Sequence, residues 1–129
     1  TDAKFNQDYE SAFDPWGGEI KSGYKLPYIS KHLISLGAEL NIQEINLNID
    51  YSYKSKFRTR PGLDMNDAKD IIKDFGIINM ALNYNLTKNI KLNFSINNLL
   101  NKVYAVASRP AGLRPGQPRV IKFGVRLDL

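Results

Sequence analysis

The sequence predicts an all-β protein, an antiparallel meander that crosses a membrane as part of a β-barrel. Three observations point there. Segment after segment alternates apolar and polar residues with the period of two that a strand requires. The connections between these segments follow a rhythm of long, short, long, short, long. The face opposite each apolar stripe carries Asn or charge in nearly every segment and almost no aliphatic side chain.

In chain order, residues 1–5 (TDAKF) read as the end of a strand, and 6–30 as a long loop. That loop holds Tyr9, Phe13, Trp16, Tyr24 and Tyr28 among Pro15, Gly17, Gly18, Gly23 and Pro27. Such aromatic content predicts an ordered loop, since a solvating linker would lack it. In the strand expected over 31–42, Ile34, Leu36, Ala38, Leu40 and Ile42 oppose Ser35, Gly37, Glu39 and Asn41. Gln43-Glu44 permits a tight turn without the favoured Asn-Gly pair. In the strand over 45–57, Ile45, Leu47, Ile49, Tyr51 and Tyr53 oppose Asn46, Asn48, Asp50, Ser52 and Lys54. The two tyrosines close the apolar stripe as an interfacial aromatic girdle would.

Residues 58–75 form a second long loop, with a short helix expected from Asn66 to Asp74, Asn66 as its cap and Gly76 beyond its end. Carboxylates such as Asp67 and Asp70 read as a solvated loop face. The strand over 76–86 sets Ile78, Met80, Leu82, Tyr84 and Leu86 against Asn79, Ala81, Asn83 and Asn85. Thr87-Lys88-Asn89 turns the chain into a strand over 90–104, where Ile90, Leu92, Phe94 and Ile96 oppose Lys91, Asn93, Ser95 and Asn97. A third long loop, 105–118, is dense in Pro, Gly and Arg. The last strand, 119–129, sets Ile121, Phe123, Val125, Leu127 and Leu129 against Val120, Lys122, Gly124, Arg126 and Asp128.

Any one of these stripes fits a soluble sheet with one wet face. The alternating connection lengths instead fit an outer-membrane barrel, with short turns on one side and long loops on the other. A charge facing lipid at mid-membrane costs about 2–4 kcal/mol, a cost that every apolar stripe here avoids. Asn98 breaks the pattern: a regular strand from Ile90 would aim it at lipid. Eight residues tilted by about 45° climb roughly 19 Å, which puts Asn98 near the outer edge of the apolar band. A bulge at that point, or a sheet that ends at Asn97, are the alternatives.

Composition narrows the function classes. There is no Cys, so no disulfide framework and no thiolate chemistry; a single His, His32, cannot form a histidine metal cluster. The net charge of +5 permits contact with an anion: nucleic acid, lipopolysaccharide or a small ligand. No run of about 18 apolar residues occurs, which rules out a transmembrane helix but not strands of about 9–11 residues. The chain begins at Thr1 with no signal peptide, and is expected to be a processed product or a piece of something longer.

The tail carries a resemblance. Asn98-Leu99-Leu100-Asn101-Lys102-Val103-Tyr104 resembles the N-L-[FL]-[DN]-x-x-Y segment in the penultimate strand of TonB-dependent outer-membrane receptors. Pro115-Gly116-Gln117-Pro118-Arg119 resembles the P-G-x-P-R loop before their final strand. Arg109-Pro110-Ala111-Gly112-Leu113-Arg114 is similar to the ferric dicitrate receptor-like branch, and Leu26 to His32 to the L-P-x-x-P-K-H stretch that opens an earlier strand. Leu129 stands where family chains usually end on an aromatic.

The resemblance implies that the chain is the C-terminal part of a barrel of about 22 strands, incomplete in itself and lacking the plug domain. An open sheet in lipid leaves edge N–H and C=O groups unpaired at several kcal/mol each, so the remainder of the receptor, in the same or another chain, must complete it. The implied function is uptake of a ferric chelate, of siderophore or ferric citrate type, across the outer membrane of a Gram-negative bacterium. TonB would act through the missing plug. No enzyme activity, cofactor, resident metal site or nucleic-acid partner is expected; the partners are outer-membrane lipid, the rest of the receptor and an anionic ferric chelate. Arg58, Arg60, Arg109, Arg114 and Arg119 are the candidate ligand-binding residues, because guanidinium forks suit carboxylates. The alternative is that these arginines pair with carboxylates inside a structural loop. Asn98, Leu99, Tyr104, Pro110, Gly112, Pro115, Gly116, Pro118 and Leu129 are expected to be structural members of the motif. Two rivals stand beside this: a passive porin-like channel, and a soluble basic β-domain that binds nucleic acid through Tyr51, Tyr53 and Lys54.

Overall fold

The computed structural model describes residues 2–12, 18–64 and 68–128. In chain order the strands are β1 (Tyr9–Glu10), β2 (Glu19–Ile20), β3 (Leu33–Ile42), β4 (Ile45–Lys54), β5 (Phe57–Arg58), β6 (Ile71–Ile72), β7 (Phe75–Asn85), β8 (Ile90–Asn97), β9 (Ala105–Ala107), β10 (Arg114–Pro115) and β11 (Val120–Leu127). They divide between two compact units. A sheet unit comprises Ile34–Tyr53, Gly76–Val103 and Gln117–Leu129; a loop unit comprises Thr1–Leu33, Lys54–Phe75 and Tyr104–Gly116.

The long strands form a five-stranded sheet in the order β11-β8-β7-β4-β3, so that each long strand lies beside the next in sequence. Register aligns the stripes. Across β8 and β11, Ile96, Phe94, Leu92 and Ile90 face Ile121, Phe123, Val125 and Leu127. Across β7 and β8, Met80, Leu82 and Tyr84 face Ile96, Phe94 and Leu92. Because both strands alternate with period two, one apolar pair in register places every other pair in register as well. The opposite face gathers Ala81, Asn83 and Asn85 against Ser95, Asn93 and Lys91, and these against Lys122, Gly124 and Arg126.

The apolar face is not a core. Phe123 is 69% exposed and Leu36 63%, and Val125 and Leu127 are exposed beside them. Soluble monomers rarely leave so continuous an apolar surface uncovered. The polar face, by contrast, is internally bonded. Asn46 donates from Nδ2 to Glu39 Oε1 at 2.6 Å, and its Oδ1 accepts from Asn48 at 2.6 Å and Asn83 at 3.2 Å. Asn79 donates to Asp50 Oδ2 at 2.7 Å. Strands β3 and β11 are the free edges of the sheet among the described residues.

Turns fix the short-connection end. Gln43 takes a left-handed φ of 49° between β3 and β4. Thr87 Oγ1 accepts from the backbone N–H groups of Asn89 and Ile90 at 3.2 and 3.1 Å, which closes the turn between β7 and β8. Asn89 then holds Asp128: its Nδ2 donates to Asp128 O at 2.8 Å, and Asp128 N–H donates to Asn89 O at 2.9 Å.

Among the described residues of the loop unit, three two-stranded ribbons form, β1-β2, β5-β6 and β9-β10. Ile20, Phe57, Ile72 and Ala107, drawn from three separate connections, are buried there. The Tyr28 ring packs on Phe57 at a centroid distance of 6.1 Å.

Several expected boundaries change. Of residues 1–5, Lys4 makes an isolated bridge to Lys25 rather than a strand. The strand expected over 45–57 stops at Lys54, and Phe57 joins β5 instead. In place of the helix from Asn66 to Asp74, Ala68–Asp70 make a 3-10 turn and Ile71–Ile72 form β6. So short a helix is marginal by itself, and pairing with β5 buries Ile72. The strand expected over 90–104 ends at Asn97. The helix cap Asn66, with Phe13, Pro15, Trp16, Gly17, Asp67 and Leu129, lies outside the described residues.

Candidate functional site

Five arginines were singled out in the sequence, and the fold treats them unequally. Register places Arg58 opposite Ile71 and Phe57 opposite Ile72 in the β5-β6 ribbon. Arg58 is only 5% exposed. Its Nη2 donates to Leu63 O at 3.0 Å, and its Nη1 lies where a Cβ on Gly62 would be 3.0 Å away, so the glycine leaves room for the guanidinium. Burial pulls the Arg58 guanidinium below its ordinary pKa, and the nearby Asp64 carboxylate opposes that pull. The group stays a cation at neutral pH.

Asp70, at the end of the 3-10 turn, gathers two more. Arg109 Nη2 bonds to Asp70 Oδ1, and Arg60 Nη1 sits 3.6 Å from Oδ2. The Asp70 carbonyl accepts from Thr59 N–H at 2.8 Å and Thr59 Oγ1 at 3.3 Å, and Ser108 Oγ donates to Thr59 Oγ1 at 3.0 Å. Asp70 therefore ties the loop over 58–75 to the loop over 105–118. The solvated loop face expected for Asp70 is corrected: a carboxylate that meets two guanidiniums is drawn into the structure. Arg109 Nε is buried with no hydrogen-bond partner among the described residues.

Arg114 is exposed in β10, opposite Ala107 of β9. Arg119 is also exposed and belongs to the sheet unit, where its backbone N–H donates to Asn101 Oδ1 at 3.2 Å. The structure thus brings Arg60 and Arg109 to Asp70 at one loop junction and buries Arg58 within the loop over 58–75, while Arg114 and Arg119 are exposed. Sequence reasoning missed Asp70, Thr59 and Ser108 as the ties of this junction. The only legible signal was an excess of arginine in two loops, which calls for a carboxylate without saying which.

The motif residues do structural work. Asn98 is 2% exposed and takes a left-handed φ of 53°. Its Nδ2 donates to Lys102 O and Gln117 O, each at 2.9 Å; its Oδ1 accepts from Lys102 N–H at 2.8 Å. Its own N–H donates to Asn79 Oδ1 at 2.9 Å. Asn98 therefore does not point at lipid: the left-handed turn ends the strand and aims the amide at three backbone groups. Leu99 N–H donates to Ile78 O at 2.8 Å. The Tyr104 ring packs on Phe75 at 4.5 Å and covers Gly116, where any Cβ would collide with it. Gly116 N–H donates to Tyr104 O at 2.8 Å. Gly112 turns the loop with a φ of 98°, a conformation suited to glycine. Pro110 follows a cis peptide bond, Pro115 sits in β10, and Pro118 is exposed.

The nucleic-acid alternative needs Tyr51, Tyr53 and Lys54 as a stacking and phosphate surface. Lys54 Nζ instead lies 4.1 Å from the Phe57 ring centre, and Tyr51 lies over Gly76, where a Cβ would come 2.7 Å from Cε2.

An exposed apolar stripe, a bonded polar face and a rhythm of short and long connections define a segment of a transmembrane β-barrel. The chain belongs to the TonB dependent receptor-like, beta-barrel family, whose model matches residues 1–99. The Pro115–Arg119 segment lies beyond that match. This family is a class of outer-membrane proteins, and no helix among the described residues is long and apolar enough to cross a membrane. No curated protein matches the chain. Among solved structures it is similar to the siderophore receptor PiuA from Acinetobacter baumannii, with TM-score 0.70, 17% identity, and coverage of 92% of this chain and 17% of that one. It is similar to the closed form of the Ferric-Catecholate import receptor Fiu from E. coli K12, with TM-score 0.69, 17% identity, and coverage of 80% and 15%. It is also similar to the ferric yersiniabactin uptake receptor FyuA from Yersinia pestis, with TM-score 0.66, 12% identity, and coverage of 88% and 18%. The chain thus spans 15–18% of the length of these receptors. They are transport receptors, not enzymes.

Proposed function

We propose that this chain supplies barrel wall and loops to a TonB-dependent transporter that takes up a ferric chelate across the outer membrane of a Gram-negative bacterium. The observation that carries the reading is the family match over a sheet whose apolar stripe is uncovered. The plug domain and the TonB contact lie in the rest of the receptor. The finer assignment, to the ferric dicitrate receptor-like branch, rests on the run Arg109-Pro110-Ala111-Gly112-Leu113-Arg114. A citrate-type chelate is anionic and offers carboxylates that guanidiniums bind in pairs. Of the five arginines, the exposed Arg114 and Arg119 are the ones free to meet it. Arg60 and Arg109 are paired with Asp70 at the loop junction, and Arg58 is bonded inside its own loop.

The test is iron uptake by the full-length receptor in cells that lack other iron receptors, supplied with ferric citrate or with ferric siderophores. TonB-dependent uptake of one of these is expected. Uptake that persists without TonB would mean a passive channel instead. Binding titrations on Arg114→Ala and Arg119→Ala should show weakened affinity for the chelate; unchanged affinity in both rejects the arginine assignment and leaves the transport assignment standing.

A further inference from the structure

Asp70 divides one carboxylate between guanidiniums that come from two different loops. Its Oδ1 accepts a hydrogen bond from Arg109 Nη2, and its Oδ2 lies 3.6 Å from Arg60 Nη1. The first contact is a hydrogen bond. The second is beyond hydrogen-bond reach and holds by charge alone.

The division leaves a defect. A carboxylate meets a guanidinium best through two parallel N–H···O bonds. Nε and Nη2 form one edge of the Arg109 fork, and Asp70 meets only Nη2; Nε is buried with no hydrogen-bond partner among the described residues. An unpaired buried donor is costly, and the oxygen that would satisfy it is turned toward Arg60. Exposure separates the two arginines as well. The Arg60 side chain is 40% exposed and that of Arg109 24%. The loosely held guanidinium is therefore the one that an anion from solution reaches first. The backbone around the trio is already tied: Thr59 N–H donates to Asp70 O at 2.8 Å, and Ser108 Oγ donates to Thr59 Oγ1 at 3.0 Å. A change of partner needs side-chain rotation and no new path for either loop.

We propose that Asp70 is a two-position switch: an anion that takes Arg60 releases Oδ2 to Arg109 Nε, and the junction between the loops over 58–75 and 105–118 tightens. In the first position the carboxylate is shared, and Arg109 keeps a bare donor. In the second, Arg109 is held through both tines of one edge, and Arg60 carries the ligand. A carboxylate-bearing anion fits, because a guanidinium fork matches its two oxygens. Such a ligand binds the second position better than the first, which is what lets it shift the population. The trigger rests on capture of an anionic chelate; the switch itself does not.

The experiment is hydrogen exchange in the detergent-solubilised full-length receptor, read on peptides from both loops. Arg60→Met keeps the stem and removes the donors, so without any ligand it should throw the switch. Exchange at the junction is then expected to slow roughly tenfold, since one charge-assisted hydrogen bond is gained. An Arg60 that merely braces its loop predicts faster exchange; faster or unchanged exchange overturns the switch. Asp70→Asn has one acceptor oxygen and should cancel the gain when combined with Arg60→Met; a gain that survives overturns Asp70 as its source. Ferric citrate should slow exchange in wild type and not in Asp70→Asn. Ferric citrate that binds wild type without slowing exchange overturns the trigger. If it does not bind at all while Arg60→Met still slows exchange, the citrate-type assignment of the chelate fails and the switch stands.

Discussion

Phe123 and Phe57 are the same residue in opposite circumstances. In the sheet unit Phe123 faces outward with its apolar neighbours, whereas in the loop unit Phe57 is 1% exposed, among Ile20, Ile72 and Ala107. The loop unit is organised as a soluble domain is, with apolar side chains inside and charges paired around them. The sheet unit is inverted, with amides and carboxylates bonded to one another on one face and hydrocarbon on the other. The lesson is that burial within the chain does not measure how much a residue matters here, because lipid is the second solvent.

Substitutions can break or sharpen this contrast. The largest effect is expected from Phe57→Ala, which removes a fully covered ring and should cost about 3–5 kcal/mol in the loop unit. Limited proteolysis should then cut the loops over 58–75 and 105–118 while the strands stay protected. Protection of both loops would show that Phe57 is not their core. Next comes Val125→Arg, at a position more than half exposed. In water such a change would be near neutral, but a charge facing hydrocarbon should cost about 2–4 kcal/mol, read by urea unfolding in lipid. A neutral result would place that stripe in water and undo the inversion.

Asn98→Ala is expected to cost about 1–3 kcal/mol, because Lys102 N–H and two carbonyls lose their partner. The same unfolding assay reads it, and Asn98→Asp should recover only the bond from Lys102 N–H. The smallest effect concerns Asp128. A hydrogen bond from Arg126 lowers its pKa below the ordinary 3.8; desolvation opposes this, and the charges of Arg126 and Lys91 add to the lowering. A folded-state pKa that is depressed stabilises above the unfolded value and is lost as pH falls through the folded one. Wild type should therefore exceed Asp128→Asn in stability at neutral pH, and the gap should close only on acidification below the ordinary carboxylate value. A gap that persists at the acid end would assign the effect to something other than the ionised carboxylate.

The stripes Ile90-Leu92-Phe94-Ile96 and Ile121-Phe123-Val125-Leu127 were legible in the sequence because a strand has a period of two, and any residue's face follows from its parity. The motif around Asn98 was legible as a pattern but not as a mechanism, since a left-handed φ at a non-glycine residue leaves no periodic trace. The arginine cluster was legible as an excess of charge in two loops. Its pairing with Asp70 was not, because Arg109 and Asp70 are separated by 39 positions.

By itself the sequence determined which side chains share a face, where the strands alternate, and that one face must meet hydrocarbon, for these depend on local geometry and on transfer free energy. Only the tertiary structure decided that Ile20, Phe57, Ile72 and Ala107 share a core, that Asp70 joins two loops, and that Tyr104 rests on Gly116. Contacts of that kind join residues distant along the chain, so they depend on how the loops close on one another, which no local pattern encodes.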